Sequence, residues 1–421
     1  MARSIYIKVL FATLFLLTTC LGAAVSQQQP NFPYSALGVG EFDLNAQGML
    51  SGMGYGVSAV RSSNFLNNTN PAGYSALADK LVLGELSTLG RSASLQSGSS
   101  TGKSSDFNLS RFALGIKVAK WWGTSIGFLP VSRVDYQIVT DRSVSGTNQT
   151  FNSIYEGNGG LHEFYWGNGF RIGKHFSVGA QLNYIFGSIN QIEKVGYDIN
   201  TPILSSNQQT YLRNFNLNYG LQYYTNLSKK LYMSVALGYQ GSRDLDATYD
   251  LTVFEGSDTL DSHASKKSYF TIPDQYRAGI AFTYNNSLTV DFDYIQEQWG
   301  GMPTDNANVV LKDSHAYGLG LQWVPAGGKE TYKDNIFNRM LFQAGGNYND
   351  TYLQISGQPI HDFSISFGAG LYSKSRNLSF SAGFAVGQKG AASSNFMTEN
   401  YTNFYFSLIL RNIWFVRQKY Y

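Results

Sequence analysis

Apolar and polar residues alternate one by one through most of the chain after residue 80. One parity carries apolar side chains and the other carries small or polar ones, as in 111–118, 176–186 and 214–223. Because successive side chains of a β-strand point to opposite faces, each such segment predicts a strand with one apolar face. No stretch after residue 26 has the eighteen consecutive apolar residues of a membrane helix.

About fourteen segments show this alternation. They begin near Leu81, Leu109, Gly123, Leu161, Phe176, Tyr211, Leu231, Gln275, Leu288, His315, Met340, Asp362, Leu378 and Tyr401. The links between them are alternately short and long. The short links are 120–123, 172–175, 227–230, 284–287, 325–338 and 373–377, and the long polar ones are 91–108, 137–160, 190–209, 246–269, 300–313, 349–360 and 388–400.

Strict alternation of short and long links is typical of a transmembrane β-barrel with periplasmic turns and external loops. We therefore predict an all-β, 14-stranded antiparallel barrel spanning 81–421, in the bacterial outer membrane, with both termini periplasmic. A hairpin hidden in 246–269 would add two strands. The last strand carries Phe404, Phe406, Leu408 and Leu410 on its apolar parity, which suits a substrate of the outer-membrane assembly machinery.

Composition agrees with a membrane location. Charged residues make up 14% of the chain, against 43% apolar and 15% aromatic residues, and average soluble domains have about 25% charged residues. The formal net charge is +3, or +1 without Arg3 and Lys8. This charge gives no basis for a nucleic-acid partner.

The first 26 residues read as a secretory signal peptide. Arg3 and Lys8 precede an apolar stretch at 9–19, and Ala24-Val25-Ser26 is a small-residue cleavage site. We place cleavage before Gln27. Cys20, the only cysteine, either leaves with this peptide or is a lipidation site, although Thr19 before it departs from the usual pattern.

Residues 27–80 do not alternate and are rich in glycine. Their glycines permit close backbone packing, as a compact plug inside a tube requires. Asn70 is positioned to cap a short helix that starts at Pro71 and ends near Leu77. A disordered leader is the other interpretation, but the segment holds many apolar residues: Met49, Leu50, Met53, Tyr55, Val57, Phe65 and Leu66.

The chain resembles the FadL/TodX family of outer-membrane channels for long-chain fatty acids and hydrocarbons, also called outer-membrane protein P1. The resemblance rests on the order of signal peptide, N-terminal hatch and fourteen-stranded barrel, and on Asn70-Pro71-Ala72 and the run 52–58 with Gly54 and Gly56. It implies that 27–80 form a hatch inside the lumen. The family's ligand-binding residues have no counterpart that we identify, so the ligand stays open.

The resemblance also implies a lateral gate, because a kink in the family's third strand opens the wall for sideways exit of an apolar ligand. The third strand here contains Gly127 and Pro130. Pro130 cannot donate to a strand ladder and glycine weakens one. A bulge without a passage is the alternative.

The sequence shows no catalytic motif. The five histidines (His162, His175, His263, His315 and His361) are scattered and have no serine motif near them, so we expect neither an enzyme nor a metal or other cofactor. Asp291 and Asp293 share the inward parity of the ninth strand. They are placed to hold a cation or a hatch lysine, but solvation by lumen water is the simpler interpretation.

Two functions remain open. The first is passive uptake of a hydrophobic small molecule through loop binding, hatch movement and lateral exit. The second is a non-transporting barrel that binds protein partners, since the resembled family includes the shuttle protein of the type nine secretion system. A continuous apolar tunnel from the loops to Pro130 would favour transport, and a packed lumen would favour partner binding.

Overall fold

The structure is a computed structural model that describes residues 32–45, 47–98, 100–143, 150–196, 203–256, 258–304, 308–327, 335–374, 377–391 and 396–413. The predicted signal peptide and Cys20 lie outside these ranges. Within them, no helix has both the length and the apolar character needed to cross a membrane.

Fourteen antiparallel strands form a closed barrel, as predicted. Three of them are interrupted by a few residues and a fourth begins with a separate short piece. The strands are β1 Leu81–Ser97, β2 Ser100–Ala119, β3 Trp122–Pro130 and Ser132–Ser143, β4 Thr150–Ile172, β5 Phe176–Gly196, β6 Leu204–Asn226, β7 Leu231–Gln240 and Arg243–Glu255, β8 Asp258–Ile272 and Gln275–Tyr284, β9 Leu288–Glu297, β10 Val309–Leu311 and Ser314–Trp323, β11 Met340–Ile355, β12 Gln358–Tyr372, β13 Leu378–Gly390, and β14 Thr398–Ile413. The barrel closes where β14 pairs with β1.

The alternation of side chains places one parity outside and the other inside. On β6, Phe215, Leu217 and Leu221 are 50%, 40% and 50% exposed, whereas Asn216 and Gln222 are 3% and 1% exposed. The apolar parity therefore forms the outer surface, where lipid replaces water.

Most of the predicted long loops are strand instead. The predicted loops 91–108 and 246–269 are the ends of β1, β2, β7 and β8, and only short turns join them. The prediction was wrong there because alternation disappears beyond the lipid, while backbone pairing continues. The stretch 246–269 is a hairpin, but it is made of two wall strands, so the strand count stays at fourteen.

The chain before β1 forms what we call the N-terminal segment, residues 32–80. It contains three 3₁₀ helices (Pro33–Ala36, Gly48–Met53 and Pro71–Ala76) and the short strand Glu41–Phe42. It contacts the loop end of the barrel first, because Tyr34 Oη donates to Met397 O at 2.6 Å. It ends at the short-turn end, where Arg171 Nη2 donates to Ser75 O at 3.3 Å.

Candidate functional site

Backbone pairing between β2 and β3 stops partway along the wall. The register runs from Ala119–Trp122 to Phe112–Phe128 and then ends. Beyond this point Ser132–Ser143 pairs with only one wall strand, β4, while β2 stays paired with β1. We call this discontinuity between 100–111 of β2 and 129–143 of β3 the seam.

A bulge in β3 directly after Pro130 accompanies the seam. Pro130 pairs with His162 and Val134 pairs with Gly159, so three residues of β3 face two of β4. Gly159 and Gly160 have φ of +118° and +142°, values that side-chain-bearing residues rarely adopt. Because a bulge bends its strand, the outer piece of β3 leaves the line of β2.

Gly127, the second predicted gate residue, lies below the seam in the fully paired part of β3. It pairs with Ala113 on one side and Tyr165 on the other. A Cβ atom at this position would lie 2.5 Å from Cε1 of the Tyr165 ring, which is itself fully buried. The absence of a side chain at Gly127 therefore makes room for Tyr165.

The free edge of β3 at the seam is covered from inside by residues 32–45, which we call the latch. Glu41 and Phe42 pair antiparallel with Arg133 and Ser132. Phe32 N donates to Asp135 O at 2.7 Å. The latch thus takes the place on β3 that β2 has vacated.

A buried network of charges holds the latch. Glu41 lies 3.4 Å from Arg91 on β1 and 3.1 Å from Lys389 on β13, and Arg91 also lies 2.6 Å from Glu399. Burial alone favours neutral Glu41, but Arg91 and Lys389 outweigh burial and lower the pKa of Glu41 to about 2.

The latch also covers an apolar patch on the inner wall beside the seam. Val39 belongs to this cluster, and Ala36 and Phe42 pack against it. The wall side, which we call the apolar lining, consists of Val134, Tyr136, Leu161, Ile185, Ile189, Leu212, Leu245, Ala247 and Ile272. The inner face is therefore apolar here. A second apolar cluster on the inner wall, which includes Leu83 and Leu341, packs against Met53 of the N-terminal segment.

Below the latch, the N-terminal segment is anchored by buried polar side chains. The predicted cap is present, since Ala72 N donates to Asn70 Oδ1 at 3.0 Å, and Asn70 Nδ2 lies 3.2 Å from both Leu221 O and Leu237 O. Asn70 thereby connects the helix Pro71–Ala76 to β6 and β7. Pro71 and Ala72 are both buried in this helix.

Gly54 and Gly56 lie where the segment approaches the wall most closely. Gly54 has φ of +63°, and an added Cβ would overlap the Asn347 side chain. A Cβ at Gly56 would lie 2.5 Å from Gly320 N on β10. The glycine run thus brings two backbones together, and Tyr55 N donates to Asn347 Oδ1 at 2.8 Å.

Asp291 and Asp293 are both fully buried, so the expected solvation by lumen water is wrong. Asp293 Oδ2 accepts from Val57 N at 3.1 Å and from Ser58 N at 2.8 Å, and Arg277 lies 3.8 Å away. Asp293 is therefore an anchor for the segment's backbone. In the described ranges, no group of three His, Cys, Asp or Glu side chains is arranged to hold a metal.

Two small cavities flank the latch near Pro130. One has a volume of about 70 Å³ and is lined by Glu41, Arg91 and Asp362 among others. The second, about 150 Å³, includes Glu163, Arg277 and Glu297 in its lining. Charged and apolar side chains both line these cavities, and both cavities are small for a fatty acid.

Sequence reasoning missed the latch and the apolar lining. Apolar residues on the inward parity are the signal that marks the lining: Ile185 and Ile189 on β5 break an alternation that otherwise puts Ser, Gly, Gln or Asn inside. The two-residue pairing of the latch leaves no comparable pattern.

The closed fourteen-stranded barrel with an interrupted third strand is a FadL-like fold. The chain belongs to the BamG family, whose model matches residues 6–421. No curated protein matches the chain.

Solved structures of FadL-like channels share the fold at low sequence identity. A Pseudomonas aeruginosa FadL homologue is 12% identical, with a TM-score of 0.60 over 88% of this chain and 99% of that one. The Ralstonia pickettii toluene transporter TbuX is 13% identical, with a TM-score of 0.57 over 88% and 99%. The Pseudomonas putida toluene transporter TodX is 15% identical, with a TM-score of 0.57 over 88% and 98%.

Proposed function

We propose that this protein is an outer-membrane channel for passive uptake of hydrophobic small molecules, of the long-chain fatty acid or hydrocarbon class. The observation that carries the proposal is the apolar lining beside the seam, now covered by Ala36, Val39 and Phe42. An apolar ligand that replaced these side chains would gain about 0.8 kcal/mol for each CH₂ group taken from water.

In the proposed mechanism only the latch moves. Residues 47–80 stay bound, since Asn70, Asp293 and Asn347 hold their backbone through buried hydrogen bonds. When the latch leaves the edge of β3, the apolar lining and the seam become continuous. The ligand then passes sideways between β2 and β3 into the membrane.

This mechanism assigns roles to the regions predicted from sequence. Residues 1–26 are the export signal, 27–80 the hatch and 81–421 the barrel, with the short turns on the periplasmic side. Pro130 belongs to the gate because it lies at the bend, whereas Gly127 supports the bend from below through Tyr165.

A disulfide between latch and wall tests the proposal. Phe42 and Ser132 lie directly opposite each other, so Phe42→Cys/Ser132→Cys can be oxidised and reduced in place. Uptake of radiolabelled palmitate, and separately of toluene, is measured in Gram-negative cells that express the barrel. We expect oxidation to abolish uptake of the transported compound and reduction to restore it.

The matched control is Thr283→Cys/Thr289→Cys, a cross-strand pair on β8 and β9 away from the seam. Oxidation of this control should leave uptake unchanged. If the latch disulfide forms fully and uptake continues, the ligand does not pass through the seam and the mechanism is wrong.

A second candidate is a binding subunit that transports nothing. Two observations favour it: the cavities beside Pro130 are small, and the family name BamG points to the outer-membrane assembly machinery. A type nine secretion-like assembly is the other partner foreseen from sequence. Purification in mild detergent distinguishes the functions: a stoichiometric protein partner, with no palmitate or toluene uptake by the reduced variant, would establish the second.

A further inference from the structure

The short-turn end of the barrel is strongly basic. Within its turns and the strand residues next to them, Asp79 is the one carboxylate in the described part of the chain. The cations at this end are Lys80, Lys117, Lys120, Arg171, Lys174, Lys229, Lys230, Arg339, Lys374 and Arg411. This excess of positive charge indicates that an anionic binding partner contacts this end of the barrel.

Four of these cations lie along one arc of the rim, which we call the lysine arc: Lys120, Lys174, Lys229 and Lys230. All four are exposed, and no described carboxylate lies within ion-pair distance of them. The turns that carry them are joined to neighbouring turns and strand ends by backbone hydrogen bonds. These are Arg171 N to Trp121 O at 2.7 Å, Tyr224 N to His175 O at 2.8 Å and Asn285 N to Lys230 O at 2.6 Å.

Apolar side chains adjoin the lysine arc on the outer surface of the barrel. Trp121, Ile172, Phe176, Leu227 and Tyr284 are each 52 to 55% exposed. Aromatic side chains in this position mark the boundary between the hydrocarbon and the headgroups of a bilayer. The lysines therefore lie at headgroup level.

We propose that the lysine arc binds the phosphate of anionic phospholipids, such as phosphatidylglycerol, with the acyl chains against the adjoining apolar side chains. The lysines lie directly beside lipid-facing apolar side chains, so one phospholipid can contact both groups. An acidic protein segment would bind the lysines but leave the apolar side chains uncovered. Each lysine near an anionic lipid surface should favour binding roughly fivefold. The proposal does not depend on uptake of a ligand.

Native mass spectrometry of the full barrel tests the proposal. The barrel is incubated with equal amounts of phosphatidylglycerol and phosphatidylcholine that carry the same acyl chains, and the ratio of the bound lipids is measured. We expect Lys229→Gln/Lys230→Gln to lower this ratio about 25-fold, which is about fivefold for each lysine, and the variant with all four lysines changed to lower it further. The matched control, Lys103→Gln/Lys267→Gln, removes two exposed lysines at the loop end and should leave the ratio unchanged.

Other outcomes overturn the proposal. One is an unchanged ratio in the four-lysine variant, and another is an equal fall in the loop-end control. A third outcome combines two results: the lipid ratio is unchanged in the four-lysine variant, and a poly-glutamate peptide binds the unmodified barrel but not that variant. This outcome would assign the arc to an acidic protein partner. Heat-modifiable mobility on gels verifies that every variant is folded.

Discussion

Arg133 Nη1 on β3 lies 3.0 Å from Asp106 Oδ2 on β2, across the part of the wall where the backbone register of these strands has ended. Their side chains are 24% and 13% exposed. An ion pair with this exposure contributes about 1 kcal/mol. A weak side-chain contact therefore takes the place of backbone hydrogen bonds at the seam.

Cross-linking across this ion pair should block lateral exit. In Asp106→Cys/Arg133→Cys, a bifunctional maleimide joins β2 to β3 without touching the latch. We expect the cross-linked cells to lose uptake of whichever of palmitate and toluene the unmodified barrel takes up, because the linker blocks the passage between β2 and β3. A monofunctional maleimide on the same variant is the control and should leave most uptake intact; equal losses from both reagents would mean that bulk, not linkage, is responsible.

Replacement of Gly127 should destabilise the barrel more than replacement of Pro130. In Gly127→Val the new side chain meets the buried Tyr165 ring, and overpacking of this kind costs about 1–3 kcal/mol. Pro130→Val adds an N–H at the bend and should change the free energy of unfolding by less than about 1 kcal/mol. Urea unfolding followed by tryptophan fluorescence measures both, and a larger loss in Pro130→Val would contradict the assignment.

The latch should respond to acid through Glu41. Its folded pKa of about 2 lies below the ordinary 4.5, so its stabilising contribution is complete above pH 4.5 and is lost as the pH falls through about 2. Near neutral pH the free energy of unfolding of the unmodified barrel should exceed that of Glu41→Gln by about 2 kcal/mol, which is measured as a higher melting temperature. This difference should shrink below pH 4.5; a difference that stays constant down to pH 2 would count against the ionic network.

Asn70 should be a strong anchor of the segment. Asn70→Ala removes the cap on Ala72 and the contacts with two wall carbonyls, at a cost of about 2 kcal/mol. Asn64→Ala is the control, since the described contacts give the Asn64 side chain no hydrogen bond. Gly220→Ala should imitate Asn70→Ala, because a Cβ there overlaps the Asn70 carboxamide oxygen. Urea midpoints test all three, and equal midpoints for Asn70→Ala and Asn64→Ala would refute the anchor.

The sequence predicted the wall well because lipid imposes a strict period of two on every strand. Phe215, Leu217 and Leu221 face outward as their parity requires. The same rule fails beyond the membrane, where nothing selects for alternation, and so the sequence predicts a loop at the paired ends of β7 and β8.

The candidate site was only partly predictable. Pro130 predicts a break in strand pairing, because proline has no backbone N–H to donate. The partners of Glu41 are distant in sequence: Arg91 and Lys389 meet it only after the barrel has closed. Long-range charge pairs of this kind leave no local pattern, and the sequence therefore indicated the break at Pro130 but not the latch that covers it.

The pairing of Glu41 and Phe42 with β3 also determines how costly an opened barrel is. In the proposed open form the latch leaves, and Val131 and Asp135 of β3 lose the latch N–H groups that their carbonyls accept. An unsatisfied backbone group at the edge of the bilayer is costly. Such an edge also invites pairing with a strand of another molecule. The latch thus protects the edge of β3 from wrong pairing. The open form should be short-lived unless another strand pairs with that edge.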